Sequence, residues 1–137
     1  EQALKVNKID MNKVHCADEP YVVVRKIQNA LNERLGPDRK AIQLVGHNVA
    51  FDIAFMKRLY KGAGLTDDYK KDFRDRALDT CSVLEFLMLS GKVGGFRASG
   101  DALFKAGNVL IEEKDRHTAL GDAMATAKAM ESLITKF

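Results

Sequence analysis

The chain has 137 residues, the size of one ordinary domain, and 46% of them are hydrophobic, which is enough for a core. The net charge of +3 permits nucleic-acid binding without demanding it, and no apolar run approaches the length of a membrane span. Cys16 and Cys81 lack the CxxC spacing of metal sites, so we expect reduced, buried thiols in a cytoplasmic protein.

Hydrophobic periodicity along the chain predicts an α/β fold. Residues 1–17 have weak periodicity and are predicted to be irregular with short turns. Helical spacing of apolar residues predicts four longer helices and one short helix, at 21–35, 49–60, 80–89, 118–136 and 99–106. The apolar run at 42–45 and the short segment 77–79 predict two strands packed by these helices. Because the first run has no polar alternation, we expect both of its faces to be covered, as in a parallel sheet, and therefore predict that the two strands are parallel.

The same spacing predicts which side chains form the core. The helix at 49–60 is expected to bury four of them, Ile53, Phe55, Met56 and Leu59. The last helix is expected to bury six, Leu120, Met124, Ala127, Met130, Leu133 and Ile134. Asn48 is a plausible N-cap for the helix at 49–60, and Asp79 or Thr80 for the helix at 80–89.

A polar turn, Gly46-His47-Asn48, follows the first strand, and Asp52 lies in the opening turn of the helix beyond it. In α/β proteins, ligands bind at the carboxyl ends of the strands. His47 and Asn48 therefore either contact a ligand or only bond locally at the strand end. Asp52 either interacts favourably with the helix N-terminus or is a ligand for a hard cation such as Mg²⁺ or Mn²⁺.

His117 and Asp122 lie near the start of the last helix. Five residues separate them, a spacing that does not place them on one helical stripe, so His117 is expected in the loop before the helix. Most single histidines of this kind are exposed loop residues without a catalytic role. A general base near neutral pH is the functional alternative.

The ordered combination HNxxFD, DT and HxxxxD is more specific than any of its residues. It resembles the DEDDh, or DnaQ-like, family of 3′–5′ exonucleases, which includes proofreading subunits of bacterial replicative polymerases and ribonuclease T. The resembling segments are LVGHNVAFDIAFM, ALDTCSVLEFL, ASGDALFKAGNV and HTALGDAMATAKAM. EQALKVNKID resembles the segment before the second motif, with Lys8 where a Gly is usual.

This resemblance implies a ribonuclease H-like fold and a set of site residues. Asp52 and Asp122 match metal ligands, His117 matches the general base, and His47 and Asn48 match positions beside the substrate strand. The implied cofactors are two divalent cations, Mg²⁺ or Mn²⁺, that flank the scissile phosphate. The implied reaction releases nucleotide monophosphates from the 3′ end of a single strand, either DNA or RNA. A homodimer or a polymerase partner is compatible with the family.

The family's first motif, Asp-x-Glu on the opening strand, is not in this sequence. We therefore expect residues 1–137 to be a single exonuclease domain that is incomplete at its N-terminus, lacks its first strands and is inactive alone. The alternative is a catalytically inactive exonuclease-fold module that binds nucleic acid or has a structural role. Asp52 and Asp122 are predicted to converge on one cleft bordered by His117. Phe51, Phe55 and Phe96 could stack on bases, although core packing is the more common role of phenylalanine.

Overall fold

A computed structural model describes residues 9–137 of the chain. The elements in chain order are α1 (Met11–His15), α2 (Pro20–Leu35), β1 (Val45–Gly46), α3 (Val49–Gly62), α4 (Asp68–Asp72), β2 (Leu78–Asp79), α5 (Thr80–Leu89), α6 (Gly100–Ala106) and α7 (Ala119–Lys136). The predicted helices are confirmed within about two residues at their ends. Helix α1 corrects the prediction that 1–17 is irregular, while residues 1–8 lie outside the described part.

Two compact units divide the chain. The first unit comprises Cys16–Val45 and Val49–Leu78, and the second comprises Gly46–Asn48, Asp79–Phe137 and the described residues up to His15. The prediction that 1–137 forms a single domain stays a prediction. No helix among residues 9–137 is long and apolar enough to cross a membrane.

Helices α2, α3 and α4 build the core of the first unit. Val24, Tyr60, Tyr69 and Phe73 are buried together, and the Tyr60 ring meets the Tyr69 ring edge-on with centroids 5.5 Å apart. Pro20 occupies the first turn of α2, where its fixed φ is compatible with a helix and its missing N–H is not needed.

A buried charge network lies beside this core. Asp72, only 4% exposed, forms an ion pair with Arg39. Its Oδ2 also accepts hydrogen bonds from the Tyr60 hydroxyl at 2.9 Å and from Gln28 Nε2 at 2.8 Å. A buried charge is tolerated when it is paired and hydrogen-bonded in this way.

The two strands pair in a small parallel sheet, as predicted, but they are shorter than the apolar runs. An isolated parallel bridge joins Ile42 to Phe73 ahead of them, and the Leu78 N–H donates to the Leu44 carbonyl at 2.9 Å. The prediction that both faces are covered is wrong for the described residues. Ile42 and Leu44 pack on the core, whereas Gln43 and Val45 on the opposite face are exposed.

Helices α5, α6 and α7 build the core of the second unit from eight buried residues: Leu84, Leu87, Leu103, Phe104, Ala125, Ala129, Met130 and Leu133. The chain approaches α7 closely at Gly107, just past the end of α6. A Cβ placed there would lie 2.7 Å from the Ala129 Cα and 3.0 Å from its carbonyl oxygen. Only a residue without a side chain fits at this position.

This close approach explains an error in the predicted core of α7. Met130 and Leu133 are buried as expected, but the rest of the buried stripe consists of Ala125, Thr126 and Ala129. Four residues that we expected inside are exposed instead: Leu120, Met124, Ala127 and Ile134. Small side chains face the core because they allow the α6 end to pack directly on the α7 backbone.

Two further burial predictions are wrong. Phe55 is exposed, because the α3 residues that pack in the core of the first unit, Ile53, Met56, Leu59 and Tyr60, lie on the other side of the helix. Both cysteines are free thiols, as expected, but Cys16 is exposed and Cys81 is half-buried.

Candidate active site

The turn after β1 is tied to the start of α5. Asp79 is the N-cap of α5, and its Oδ1 accepts from the Cys81 N–H and from the Asn48 N–H, each at 2.9 Å. The His47 ring is held at both nitrogens, with Nδ1 2.9 Å from Thr80 Oγ1 and Nε2 3.2 Å from Cys81 Sγ. Burial raises the pKa of the Cys81 thiol, which favours its protonated form.

These contacts favour local roles for His47 and Asn48. Asn48 has a φ of 58°, which differs from the extended backbone of an N-cap, so the capping prediction is wrong. The predicted cap at Asp79 is confirmed. Substrate contact by His47 and Asn48 stays a prediction.

The loop before α7 is tightly folded. Thr118 caps the helix by accepting from the Gly121 N–H at 3.1 Å, and its hydroxyl donates to the Asp115 carbonyl at 2.6 Å. A Cβ on Gly121 would overlap the Asp115 carbonyl oxygen and lie 2.7 Å from Thr118 Oγ1. The glycine before Asp122 is therefore needed because the loop lies directly on the first turn of α7.

Asp122 lies in that first turn, and the loop supplies its partners. Its Oδ1 accepts from Arg116 Nη1 at 2.7 Å and from the His117 N–H at 3.4 Å, a long contact. Arg116 also donates from Nη2 to Asp101 Oδ1 at 2.7 Å, and its guanidinium lies 5.3 Å from the centroid of the Phe104 ring. Burial lowers the pKa of Arg116, but the hydrogen bonds to Asp101 and Asp122 together outweigh it, so the pKa is raised overall.

His117 lies in the loop, as predicted, and its side chain is exposed. Its φ of 63° places it in the left-handed region, which is unusual for a residue with a side chain. The structure thus brings His117 and Asp122 together through a backbone contact, and His117 itself is exposed.

Asp52 belongs to the first unit, in the first turn of α3, and its side chain is exposed. Phe51 and Phe55 flank it on the same helix at 63% and 54% exposure, with ring centroids 4.8 Å apart. Phe96, in the second unit, is fully exposed. Core packing was the expected role of these three phenylalanines, and that expectation is wrong. The convergence of Asp52 and Asp122 on one cleft stays a prediction.

The described residues do not fit a complete metal centre. No group of three His, Cys, Asp or Glu side chains within residues 9–137 is arranged to hold a metal ion. A divalent cation of the Mg²⁺ type needs about six oxygen ligands, and Asp122 already faces a guanidinium. No catalytic step through a metal is therefore derived from these residues.

The sequence interpretation missed Arg116 and Asp101. The arginine directly before His117 was a possible signal, because a cation next to a predicted metal ligand competes for its charge. Nothing in the sequence indicated a role for Asp101 in the site, since an acidic residue in the first turn of a short helix is common.

Comparison with known proteins supports the resemblance drawn from the motifs. Over 121 residues the chain is 34% identical to a protein of Rhodobacter capsulatus described as "DNA polymerase III subunit epsilon-like protein". The alignment covers 88% of this chain and 16% of that relative, so the chain spans about one sixth of the relative's length. No family model and no solved structure matches the chain. The chain is thus similar to part of a much longer protein.

Proposed function

We propose that this chain contributes to a 3′–5′ exonuclease of the DnaQ-like, DEDDh type with a ribonuclease H-like fold. The substrate is the 3′ end of single-stranded DNA or RNA, and the products are nucleotide monophosphates. The observation that carries the proposal is the start of α7, where Asp122 and an exposed His117 share one tightly folded loop. The similarity to a protein described as epsilon-like supports it.

His117 is the proposed general base. Its imidazole is exposed, so it can accept a proton from a water molecule that attacks the terminal phosphate. Asp122 and Asp52 are proposed to bind two divalent cations, Mg²⁺ or Mn²⁺, whose charge would stabilise the phosphate in the transition state. Further carboxylates are needed to complete such a site.

The exposed aromatic pair on α3 supports a single-stranded substrate. Phe51 and Phe55 present their rings to solvent on either side of Asp52 along the helix. Bases stack on such rings without strong sequence preference. A polymerase partner is supported by the relative's description, while a homodimer and a cytoplasmic location stay predictions.

One observation favours the alternative of a catalytically inactive exonuclease-fold module that binds nucleic acid or has a structural role. Asp122 forms an ion pair with Arg116, and no three-ligand metal cluster exists among residues 9–137. A module of this kind would bind single strands through Phe51 and Phe55 but would not cleave them.

Nuclease assays on the full product of the gene and on the 137-residue chain separate the two functions. We expect the gene product to release mononucleotides from the labelled 3′ end of a single strand when Mn²⁺ or Mg²⁺ is present, and to stop with EDTA. The 137-residue chain should cleave little or nothing. A folded gene product that binds single strands but cleaves neither DNA nor RNA would establish the inactive module.

Substitutions in the gene product test the assigned roles. Asp52→Ala or Asp122→Ala should remove nearly all activity, because each carboxylate is proposed to bind a cation. His117→Ala should slow turnover by about 10²–10⁴-fold, the usual contribution of a positioned general base. His15→Ala, at another exposed histidine, is the matched control and should leave the rate unchanged.

A further inference from the structure

The two halves of α3 differ in the side chains that they expose. The first half carries Asp52 and the exposed pair Phe51 and Phe55. The second half carries three exposed basic residues, Lys57, Arg58 and Lys61. Asp52 is the sole acidic residue of the helix, so no carboxylate of α3 lies within one turn of these bases. The helix therefore presents aromatic rings followed by a group of positive charges.

Helical spacing places Arg58 in line with the two phenylalanines. Steps of four and three residues lead from Phe51 to Phe55 and on to Arg58, and residues at these steps are neighbours on one face of a helix. The ring centroids of Phe51 and Phe55 are 4.8 Å apart, in agreement with this alignment. Lys61, three residues beyond Arg58, lies at the edge of the same face. One continuous face thus joins two aromatic rings to two cations.

The two cations are accessible to an anionic ligand. Arg58 and Lys61 are exposed, and none of the ion pairs found within residues 9–137 includes either of them. Lys57 differs, because its ammonium lies 5.4 Å from the centroid of the Tyr69 ring. Like charges three residues apart on a helix repel each other, and an anion that lies across both relieves the repulsion. The helix dipole favours Lys61 in the last turn, but it does not account for exposed rings in line with Arg58.

The length of this face corresponds to several nucleotides. With a rise of ~1.5 Å per residue, Arg58 lies about 10 Å and Lys61 about 15 Å beyond Phe51 along the helix axis. A stacked strand advances ~3.4 Å per nucleotide, so these distances correspond to about three and four nucleotides. A dinucleotide on the two rings would therefore end short of both cations.

We propose that a single strand lies along α3, with bases on Phe51 and Phe55, backbone phosphates on Arg58 and Lys61, and its 3′ end at Asp52. The substrate is then a strand of about four nucleotides or more rather than a dinucleotide. The inference rests on the proposed function, which takes Asp52 as the place where the terminal phosphate reacts. It adds the direction of the strand and the side chains that bind its phosphates.

The test measures binding of 5′-fluorescein-labelled strands to the full product of the gene by fluorescence anisotropy, in EDTA so that no strand is cleaved. Each phosphate contact to a single strand contributes about −0.7 to the slope of log affinity against log salt, or about fivefold in affinity between 1 M and 0.1 M salt. Arg58→Gln/Lys61→Gln should therefore make the slope for a hexanucleotide less steep by about 1.4 and weaken its binding about 25-fold at 0.1 M salt. Binding of a dinucleotide should be unchanged.

A matched control removes the same charge elsewhere. Lys105→Gln/Lys128→Gln changes two exposed lysines of the second unit and should leave both the slope and the affinity for the hexanucleotide unchanged. DNA and RNA hexanucleotides should respond alike to the substitutions at Arg58 and Lys61, because the phosphate is common to both.

Changes on the strand test the same contacts in the unmodified protein, which covers a double variant that does not fold. Neutral methylphosphonates at the third and fourth phosphates from the 3′ end of the DNA hexanucleotide should make the slope less steep. The same groups at the first and second phosphates, beside the rings, should reduce it less. Arg58→Gln/Lys61→Gln should cause little further loss with the first of these strands, because the contacts are already absent.

The failure of this inference and the failure of the proposed function give different results. Equal slopes for wild type and Arg58→Gln/Lys61→Gln, or an equal loss for the dinucleotide and the hexanucleotide, would overturn the position of the strand along α3. The proposed function would survive that result if Phe51→Ala still weakens binding. An unmodified protein that binds neither the DNA nor the RNA hexanucleotide would overturn the strand position and the proposed function together.

Discussion

Replacing either phenylalanine of the exposed pair on α3 by alanine should weaken nucleic-acid binding while lowering the stability of the fold only slightly. Phe51 and Phe55 are 63% and 54% exposed, so roughly 40% of each side chain is buried. Full burial of a phenylalanine contributes about 1.5–3 kcal/mol, so each alanine substitution should lower the free energy of unfolding by only ~1 kcal/mol. Loss of the ring–ring contact adds at most about 0.5–1.5 kcal/mol.

The effect on affinity should be larger. Stacking of one base on one aromatic side chain contributes about 1–3 kcal/mol, which corresponds to about 5–150-fold in affinity. We expect Phe51→Ala and Phe55→Ala each to weaken binding of a fluorescein-labelled single strand within that range. Fluorescence anisotropy at fixed ionic strength measures the dissociation constants, because phosphate contacts make them depend on salt.

Phe86→Ala is the matched control, since Phe86 is also exposed, on α5, but belongs to the second unit and is not proposed to bind a base. It should change neither stability nor affinity by more than a small amount. The reasoning fails if the two α3 variants bind single strands as tightly as wild type. It also fails if either variant loses more than about 3 kcal/mol of stability, the value expected of a core phenylalanine.

Three further predictions concern the rest of the structure. Arg39→Met leaves Asp72 buried without its cation and should lower the free energy of unfolding in urea by about 3–5 kcal/mol; a loss below about 1 kcal/mol would contradict the buried ion pair. Gly121→Ala should cost about 1–3 kcal/mol in thermal unfolding and shift the amide signals of the loop before α7, whereas Gly94→Ala, at an open position, should not. Burial and the hydrogen bond to Asp72 raise the pKa of Tyr60, so the folded state keeps a proton that the unfolded state loses above about pH 10. Stability should therefore fall as pH rises through that range, and Tyr60→Phe should reduce the slope; equal slopes would refute this assignment.

The sequence predicted the helices well because their signals are local. Helical periodicity, Pro20 at the start of α2 and the cap at Asp79 each depend on residues within one or two turns. The parallel pairing of the strands was also predicted correctly. Their length was not, because strand length depends on partners that periodicity does not identify.

The burial predictions were wrong where the packing partner of a helix decides which of its side chains are buried. Large apolar residues of α7 were expected inside, yet the small side chains of Ala125 and Ala129 are buried against the neighbouring helix instead. Phe55 was assigned to the core from the spacing of apolar residues along the helix, although its position on α3 lies away from Ile53 and Met56. The sequence pattern suggested that one face of each helix is buried, but in the structure a different face packs against the neighbouring elements.

Only part of the candidate site was predicted, because only part of it depends on neighbouring residues in the sequence. The loop position of His117 followed from its spacing to Asp122, which is a local property. The ion pairs of Arg116 with Asp101 and Asp122 join residues from separate elements, so no single stretch of sequence contains them.

The contact at Gly107 has a consequence for how this chain tolerates sequence change. Its φ of −83° is compatible with any residue, so the requirement for glycine comes entirely from the neighbouring helix. Replacing Ala129 by glycine would remove one obstructing atom, its Cβ, but would leave the Cα and the carbonyl oxygen in place. No single compensating substitution can therefore rescue a side chain at position 107. In a saturation library selected for folding, this position should retain only glycine even when Ala129 is randomised together with it.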